Sequence, residues 1–330
     1  MSLTGYIARN GYDLSYIFQS GNSGLTTGYK LTNGQDIGSI FALYTSVQAQ
    51  STGLVNNSGA DISTLFNGII SDFPFSISGC CLWLDSSDVT TIAKDASNKV
   101  SNWADKSTNA FQFAQSTDAN KPTYTANNQN GKGTITFNAA NSTYLAGPST
   151  FAIGTSSFAL FAVASYTSNT SYGTVFAKSL YGSQTGRIIM TKDSGGFSIC
   201  YTHGDTRIAA LTLTYASGSY QLFELIVNRT EGKDYAYQNG TLVGSLTFPD
   251  ATNYTASSNL MLVGAYNNGT GGVPPMAGYY LTGNVAEILA YKSSDMTSLN
   301  REKVEGYLAW KWGIQGNLPS NHTYKNAAPT

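Results

Sequence analysis

The stretch Ser219–Phe248, SYQLFELIVNRTEGKDYAYQNGTLVGSLTF, decides the fold class, because it reads as three consecutive antiparallel strands. In 220–227 one alternate set is Phe223, Leu225 and Val227, and the other is Tyr220, Leu222, Glu224 and Ile226. Both faces are largely apolar, the pattern of a strand buried on two sides within a sandwich. Thr230-Glu231-Gly232-Lys233 supplies a polar turn, and 234–238 runs back with Tyr235 and Tyr237 on one side. Asn239-Gly240 tolerates positive φ at both central turn positions and predicts a tight type I′ hairpin. In the third strand Leu242, Gly244, Leu246 and Phe248 are expected on one face, with Val243, Ser245 and Thr247 on the other. The meander is a scaffold and holds no catalytic pattern.

Working outward, strand patterns recur at 80–85, 133–137, 144–146, 157–165, 174–177, 187–191, 196–201, 208–213, 259–266 and 283–291. About a dozen strands at this spacing predict an all-β chain folded as an antiparallel two-sheet jelly-roll sandwich. Between Asp85 and Gly133 the pattern fades into a polar stretch that reads as a long loop. One helix is expected, over 295–312, with Ser294 or Asp295 as its cap and Val304, Tyr307, Leu308 and Trp312 as its apolar stripe. Arg301 and Glu305 form an i,i+4 pair on it, and Gly313 is placed to end it. Trp310 and Trp312 are assigned to packing.

The 330 residues suggest roughly two domains. Only 11% are charged, and Tyr (22 residues), Gly, Ser, Thr and Asn are abundant, which favours strands and turns. A net charge of −1 gives no electrostatic reason for a nucleic-acid partner. No apolar run approaches the roughly 18 residues of a spanning helix, so no membrane insertion is expected, and Met1–Leu14 is not expected to be a signal peptide. Of the cysteines, Cys80, Cys81 and Cys200, the adjacent pair points to opposite faces of a strand. Buried free thiols are expected, assembled under reducing conditions.

Residues 1 to 66 contain an internal repeat with the frame TG[YL], a spacer, then [NS]GxD[LI]xx[IL]F. The positions that define it are Asp13, Leu14, Ile17 and Phe18, then Asp36, Ile37, Ile40 and Phe41, then Asp61, Ile62, Leu65 and Phe66. In each copy Asp caps one helical turn whose apolar residues share a side. A unit this small cannot bury them alone, so they pack on the next copy as a repeat cap, on another subunit, or on a larger assembly. The expected organisation is a docking or assembly region at 1–72, a linker at 73–79 and the sandwich at 80–330.

Three motifs then resemble a known family. They are LWLDSSD at 82–88, VSNWADKS at 100–107, and NVAEILAY at 284–291 followed by REKVEGYLAWKWG at 301–313. Together they resemble the laminin-G-like, concanavalin A-like jelly rolls of bacterial surface proteins and of structural proteins of large DNA viruses. The N-terminal repeats separately resemble tandem motifs of giant-virus virion proteins. The resemblance implies a fold and a habit of binding glycans or proteins, and fold alone does not set function.

The related glucanases carry two carboxylates on one strand as ExDxxE, and no such run occurs here. Glu287 has no acidic residue two or four positions on. His203 and His322 are the only histidines, expected as surface or loop-anchoring residues, and no GxSxG elbow is present. Glycan contact would fall on Tyr266, Asn267, Asn268, Tyr279 and Tyr280, with the 166–172 segment beside them. Calcium, which some laminin-G-like domains hold, would use Asp85, Asp88 and Asp105, although Asp near strand ends commonly caps turns.

The expectation is therefore a non-enzymatic structural protein of a large DNA virus, a minor capsid or capsid-surface component of the virion. Its repeats would dock to capsid proteins or to its own subunits in a homo-oligomer, and its jelly roll would make protein or glycan contacts. A carbohydrate-binding adhesin of a bacterium or phage is the alternative, and a divergent glycan hydrolase the third.

Overall fold

The computed structural model describes residues 73–151, 153–167, 172–178, 188–192, 198–203, 206–207, 217–247, 259–267, 275–292 and 296–329. The chain divides between Ser71 and Asp72. All twelve repeat positions from Asp13 to Phe66 lie outside the described residues, as do Asn268 and the expected strand at 208–213.

Along the described chain the strands are β1 (Cys80–Asp85), β2 (Ile92–Lys94), β3 (Val100–Ala104), β4 (Gln112–Ala114), β5 (Thr123–Gln129), β6 (Lys132–Phe137), β7 (Leu145–Ala146), β8 (Phe158–Tyr166) and β9 (Gly173–Lys178). They continue as β10 (Ile188–Lys192), β11 (Ser198–His203), β12 (Thr206–Arg207), β13 (Gln221–Asn228), β14 (Lys233–Gln238), β15 (Thr241–Thr247), β16 (Met261–Val263) and β17 (Gly283–Tyr291), before helix α1 (Ser298–Lys311). They form two antiparallel sheets, one ordered β15-β14-β13-β8-β17-β6-β5 and the other β12-β11-β10-β9-β16-β7-β4-β3-β2. β17 pairs with β8 along one edge, while its other edge is shared by β6 at residues 283–285 and β1 at residues 287–291.

Two apolar layers hold this together. Phe223, Leu225 and Val227 of β13 face the layer between the sheets, with Leu160, Phe176, Met190 and Ile288. Tyr220, Leu222 and Ile226 face outward into a second layer under α1, with Phe161, Leu289, Val304, Leu308 and Trp312. That second layer is why β13 reads as apolar on both faces. Fully burying a Val or Leu is worth roughly 1.5–3 kcal/mol, so Val304 and Leu308 fix the helix to the sheet. The helix starts later than expected: Thr297 is the cap, its Oγ1 accepting from the Asn300 amide at 3.2 Å, and Gly313 ends it at φ 68°. Arg301 and Glu305 pair on it as expected.

Three sequence expectations are corrected. The stretch between Asp85 and Gly133 is not a loop but carries β2 to β5. β2 and β4 are three residues long with one inward apolar residue each, Ile92 and Phe113, too short to show alternation. In β15 the strict alternation fails because a bulge sets Ala236 opposite Gly244 and Tyr237 opposite Leu242. Val243 and Leu246 therefore both reach the inter-sheet core, and Leu242 is exposed. The 73–79 segment packs on the domain: Phe73 lies 4.2 Å from the Tyr307 ring, Ile77 is buried, and Tyr291 donates to the Pro74 carbonyl at 3.2 Å. The Asn239-Gly240 hairpin forms as expected, with φ of 51° and 75°.

Candidate functional site

At one end of the first sheet, the start of β13, the Asn239–Gly240 turn, the end of β5 and the loop after α1 enclose a groove of about 550 Å³. Its polar walls are Gln129, Ser219, Tyr220, Gln221, Asn239 and Asn317, with Gly218, Gly313 and Gly316 between them and Ile314 as the apolar member. Among the described residues no charged side chain lines it.

The walls are fixed by their own hydrogen bonds. Asn239 donates its backbone amide to the Leu222 carbonyl at 2.8 Å and accepts the Leu222 amide on Oδ1 at 2.9 Å, so the turn folds back on β13. Asn239 Nδ2 and Gln238 Nε2 both donate to Gln221 Oε1, at 2.6 and 3.1 Å. Gln129 Nε2 donates to the Trp312 carbonyl at 2.7 Å, and Asn317 Nδ2 to the Tyr220 carbonyl at 3.3 Å. The Tyr220 hydroxyl accepts from Asn128 Nδ2 at 2.9 Å and donates to Thr134 at 3.1 Å. What remains is the second end of each amide: Gln221 Nε2 as a donor, and Gln129 Oε1 and Asn317 Oδ1 as acceptors. A Cβ at Gly218 or Gly316 would meet nothing within 4 Å, so the mouth is open there.

The tyrosine segment behaves differently from the sequence expectation. Tyr266, Asn267 and Tyr280 are buried, and Asn267 Nδ2 donates to the Leu260 carbonyl at 2.9 Å, so these three are structural. Tyr279 is half-buried and stacks on Tyr172 with ring centroids 4.6 Å apart, while Tyr266 tilts against it at 5.3 Å. The two tyrosine segments are brought together, but their faces are spent on each other.

The three aspartates considered for calcium do not converge on a cation site. Asp85 is buried between Lys311 at 2.9 Å and Lys106 at 3.1 Å. Burial alone would raise its pKa, but Lys311, the Ser87 hydroxyl and Lys106 outweigh it and hold the carboxyl below its ordinary range. Asp88 pairs with the same Lys106 at 3.0 Å and caps the turn at Thr90. Asp105 is buried and accepts four protein donors. No cluster of three or more metal-ligating side chains occurs among the described residues.

Glu287 does have an acidic neighbour, supplied across strands rather than along one. Asp85 stands opposite it in the β1–β17 register, and Lys311 of α1 bridges the two, 2.7 Å from Glu287. Glu287 also accepts the indole N–H groups of Trp83 and Trp312 at 2.8 and 2.7 Å and the Tyr307 hydroxyl at 3.1 Å. Burial pushes its pKa up, with Lys311 pulling it back. The cluster lies beneath the helix with Asp85 and Glu287 both buried, and Trp312 is a packing residue that also carries a hydrogen bond.

A second buried cluster escaped the sequence reading. Glu224 of β13 and Glu305 of α1 are both fully buried and meet at one glycine: Gly240 donates its amide to Glu224 Oε1, and a Cβ on Gly240 would lie 3.3 Å from Glu305 Oε2. Glu305 also binds Arg301 and, at 2.7 Å, His322 Nε2. His322 Nδ1 accepts the Tyr324 amide at 3.0 Å, which leaves the ring proton on Nε2 facing Glu305. His322 is thus the loop anchor expected of it. The signal was present: Glu224 and Glu287 are lone acids in strands apolar on both faces, and a buried acid requires a partner.

No protein-family model matches the chain, and no curated protein sequence matches it. Among solved structures it is similar to domain 4 of AbnA, a GH43 extracellular arabinanase from Geobacillus stearothermophilus in complex with arabinotriose, at 14% identity over 67% of this chain and 96% of that one, with a TM-score of 0.47. It is similar to Trypanosoma rangeli sialidase in complex with sialic acid, at 12% identity over 83% of this chain and 38% of that one, TM-score 0.45. It is also similar to the Ruminococcus gnavus IT-sialidase CBM40 bound to α2,3 sialyllactose, at 11% identity over 43% and 78%, TM-score 0.34. At these identities no residue correspondence follows, and any functional reading rests on the groove's own geometry.

Proposed function

We propose that the sandwich is a non-catalytic module that binds a neutral saccharide in the groove between the Asn239 turn and the 313–317 loop. The observation that carries this is the groove's chemistry: about 550 Å³, within the roughly 300–1,000 Å³ of small-ligand sites, walled by fixed amides and hydroxyls without a charge. Sugar hydroxyls both donate and accept, and Gln221 Nε2, Gln129 Oε1 and Asn317 Oδ1 offer both complements. Hydrolysis needs two carboxylates flanking the bond, and none lines this groove among the described residues. The buried pairs Asp85 with Glu287 and Glu224 with Glu305 lie at α1 instead. A capsid role rests on the repeats of 1–72, and no observation on the described residues favours it.

The test is an array of neutral and acidic oligosaccharides with the full chain and with Gly316→Trp, which fills the open mouth. Binding of neutral glycans that Gly316→Trp abolishes and Tyr279→Ala leaves intact supports the groove. Binding lost only in Tyr279→Ala moves the site to the tyrosine stack, and turnover of any glycan overturns the non-catalytic reading.

A further inference from the structure

We propose that the Glu224–Glu305 carboxyl pair positions the Asn239–Gly240 wall of the groove, so that the groove releases its ligand when the pair loses its proton. This rests on the saccharide reading for its ligand, but the positioning itself does not.

The geometry is a chain of three links. Gly240, the second residue of the hairpin turn, donates its amide to Glu224 Oε1 at 3.2 Å, so the turn is held from beneath by a carboxyl. A Cβ at Gly240 would lie 3.1 Å from the His322 ring, 3.3 Å from Glu305 and 3.4 Å from Pro319, so the turn sits directly on the cluster. Asn239, one residue earlier, is the groove wall. Movement of Glu224 therefore moves a residue that lines the site.

Two fully buried carboxyls set against the same glycine do not readily both ionise. Glu305 is the ionised member, because Arg301 and His322 both bind it. Burial and the Glu305 charge push the Glu224 pKa well up, while at Glu305 the His322, Glu224 and Arg301 contacts outweigh burial and hold the pKa down. Two other described groups face the cluster, and neither is a cation. From β14 comes Tyr237, whose ring packs 4.1 Å from the Arg301 guanidinium, and from α1 comes Glu302, engaged by Thr323. Loss of the proton leaves two negative charges against Arg301 and His322. Glu305 is tethered at both oxygens, so the strain falls on Glu224 and on the turn that it holds.

Glutamine at 224 imitates the protonated acid: its carbonyl accepts from Gly240 and it cannot ionise. The experiment follows the Gly240 amide resonance in the full chain, and neutral-oligosaccharide affinity by calorimetry, from about pH 5 to about pH 10. In the wild type Gly240 titrates in one step, and above its midpoint the dissociation constant rises about tenfold per pH unit, as one linked proton requires. In Glu224→Gln both steps vanish. A Gly240 step that persists unchanged in Glu224→Gln, or its absence from the wild type, overturns the proposal. Should Glu224→Gln not fold, Glu305→Gln decides instead: without the Glu305 charge the Gly240 step should move to lower pH, and a step left in place overturns the proposal. If no saccharide binds at any pH, the groove reading fails, and the Gly240 titration still decides the positioning role.

Discussion

Asp105 offers the sharpest test of how the two sheets are joined. It follows β3 in one sheet, and its Oδ1 accepts the amide of Trp83, in β1 of the other sheet, at 2.8 Å and the Ser107 amide at 2.8 Å. Oδ2 accepts the Ser107 hydroxyl at 2.7 Å and the Phe111 amide at 3.3 Å. The residue is 6% exposed, so water cannot readily replace it. Asp105→Ala strands backbone donors that cost about 1–3 kcal/mol each when buried and unpaired, for a total of about 3–5 kcal/mol after partial hydration. Asp105→Asn keeps the shorter pair of bonds on Oδ1 and should cost only about 1–2 kcal/mol. At about 2–4 °C per kcal/mol for a unit of this size, the alanine variant should melt roughly 6–20 °C lower. Urea and thermal unfolding of the full chain, with calcium and with chelator, supply the measurement. An alanine variant within about 1 kcal/mol of wild type would refute the accounting. So would an asparagine variant as damaged as the alanine one, or wild-type stability that falls on chelation, since either would make the charge and a bound cation the important quantity.

Other outcomes follow from the same structure. Lys311→Met removes the cation between Asp85 and Glu287 and should cost about 3–5 kcal/mol, with partial recovery in Lys311→Met/Glu287→Met, read by urea unfolding. Because the Glu224 pKa is raised on folding, its contribution is fully present below the unfolded value and is lost as pH rises through the folded one; wild-type stability should fall by about 1.4 kcal/mol per pH unit in that window relative to Glu224→Gln. Gly283→Ala would set a Cβ 2.0 Å from the Ser165 carbonyl oxygen in the middle of the sheet, and soluble folded protein should be lost. Burial pushes Cys81 up to about 12 and raises Cys80 as well, so mass spectrometry should find both slow to alkylate at neutral pH until the chain is denatured.

The meander was legible because β13 is covered twice, and double cover writes apolar residues on both faces. The terminal helix was legible from its one buried face, which sets Val304, Leu308 and Trp312 at helical spacing. The 86–132 region was not, since Ile92 and Phe113 are single inward residues on three-residue strands and the rest of each is solvent-facing. The β15 bulge was equally silent, because the register depends on the partner strand. The groove was invisible for a different reason: its walls come from positions 129, 218–221, 239 and 313–317, each ordinary by itself. The tyrosines misled by abundance, and burial rather than identity separates Tyr266 and Tyr280 from Tyr279.

The position of β17 also sets the order in which the domain can form. Its partners β1, β6 and β8 are all made before it, and they do not pair directly with one another. While a ribosome is still extending the chain toward residue 283, each of the three presents an open edge along the line that β17 will fill, and the outer face of β13 waits uncovered for α1. Such edges pair readily with other chains. The sheet therefore closes only once β17 has been made, around a strand that carries Glu287 and must be met by Lys311 some twenty residues later. A chain stopped before residue 283 is left as a set of unmatched edges, and β17 with α1 turns them into a fold.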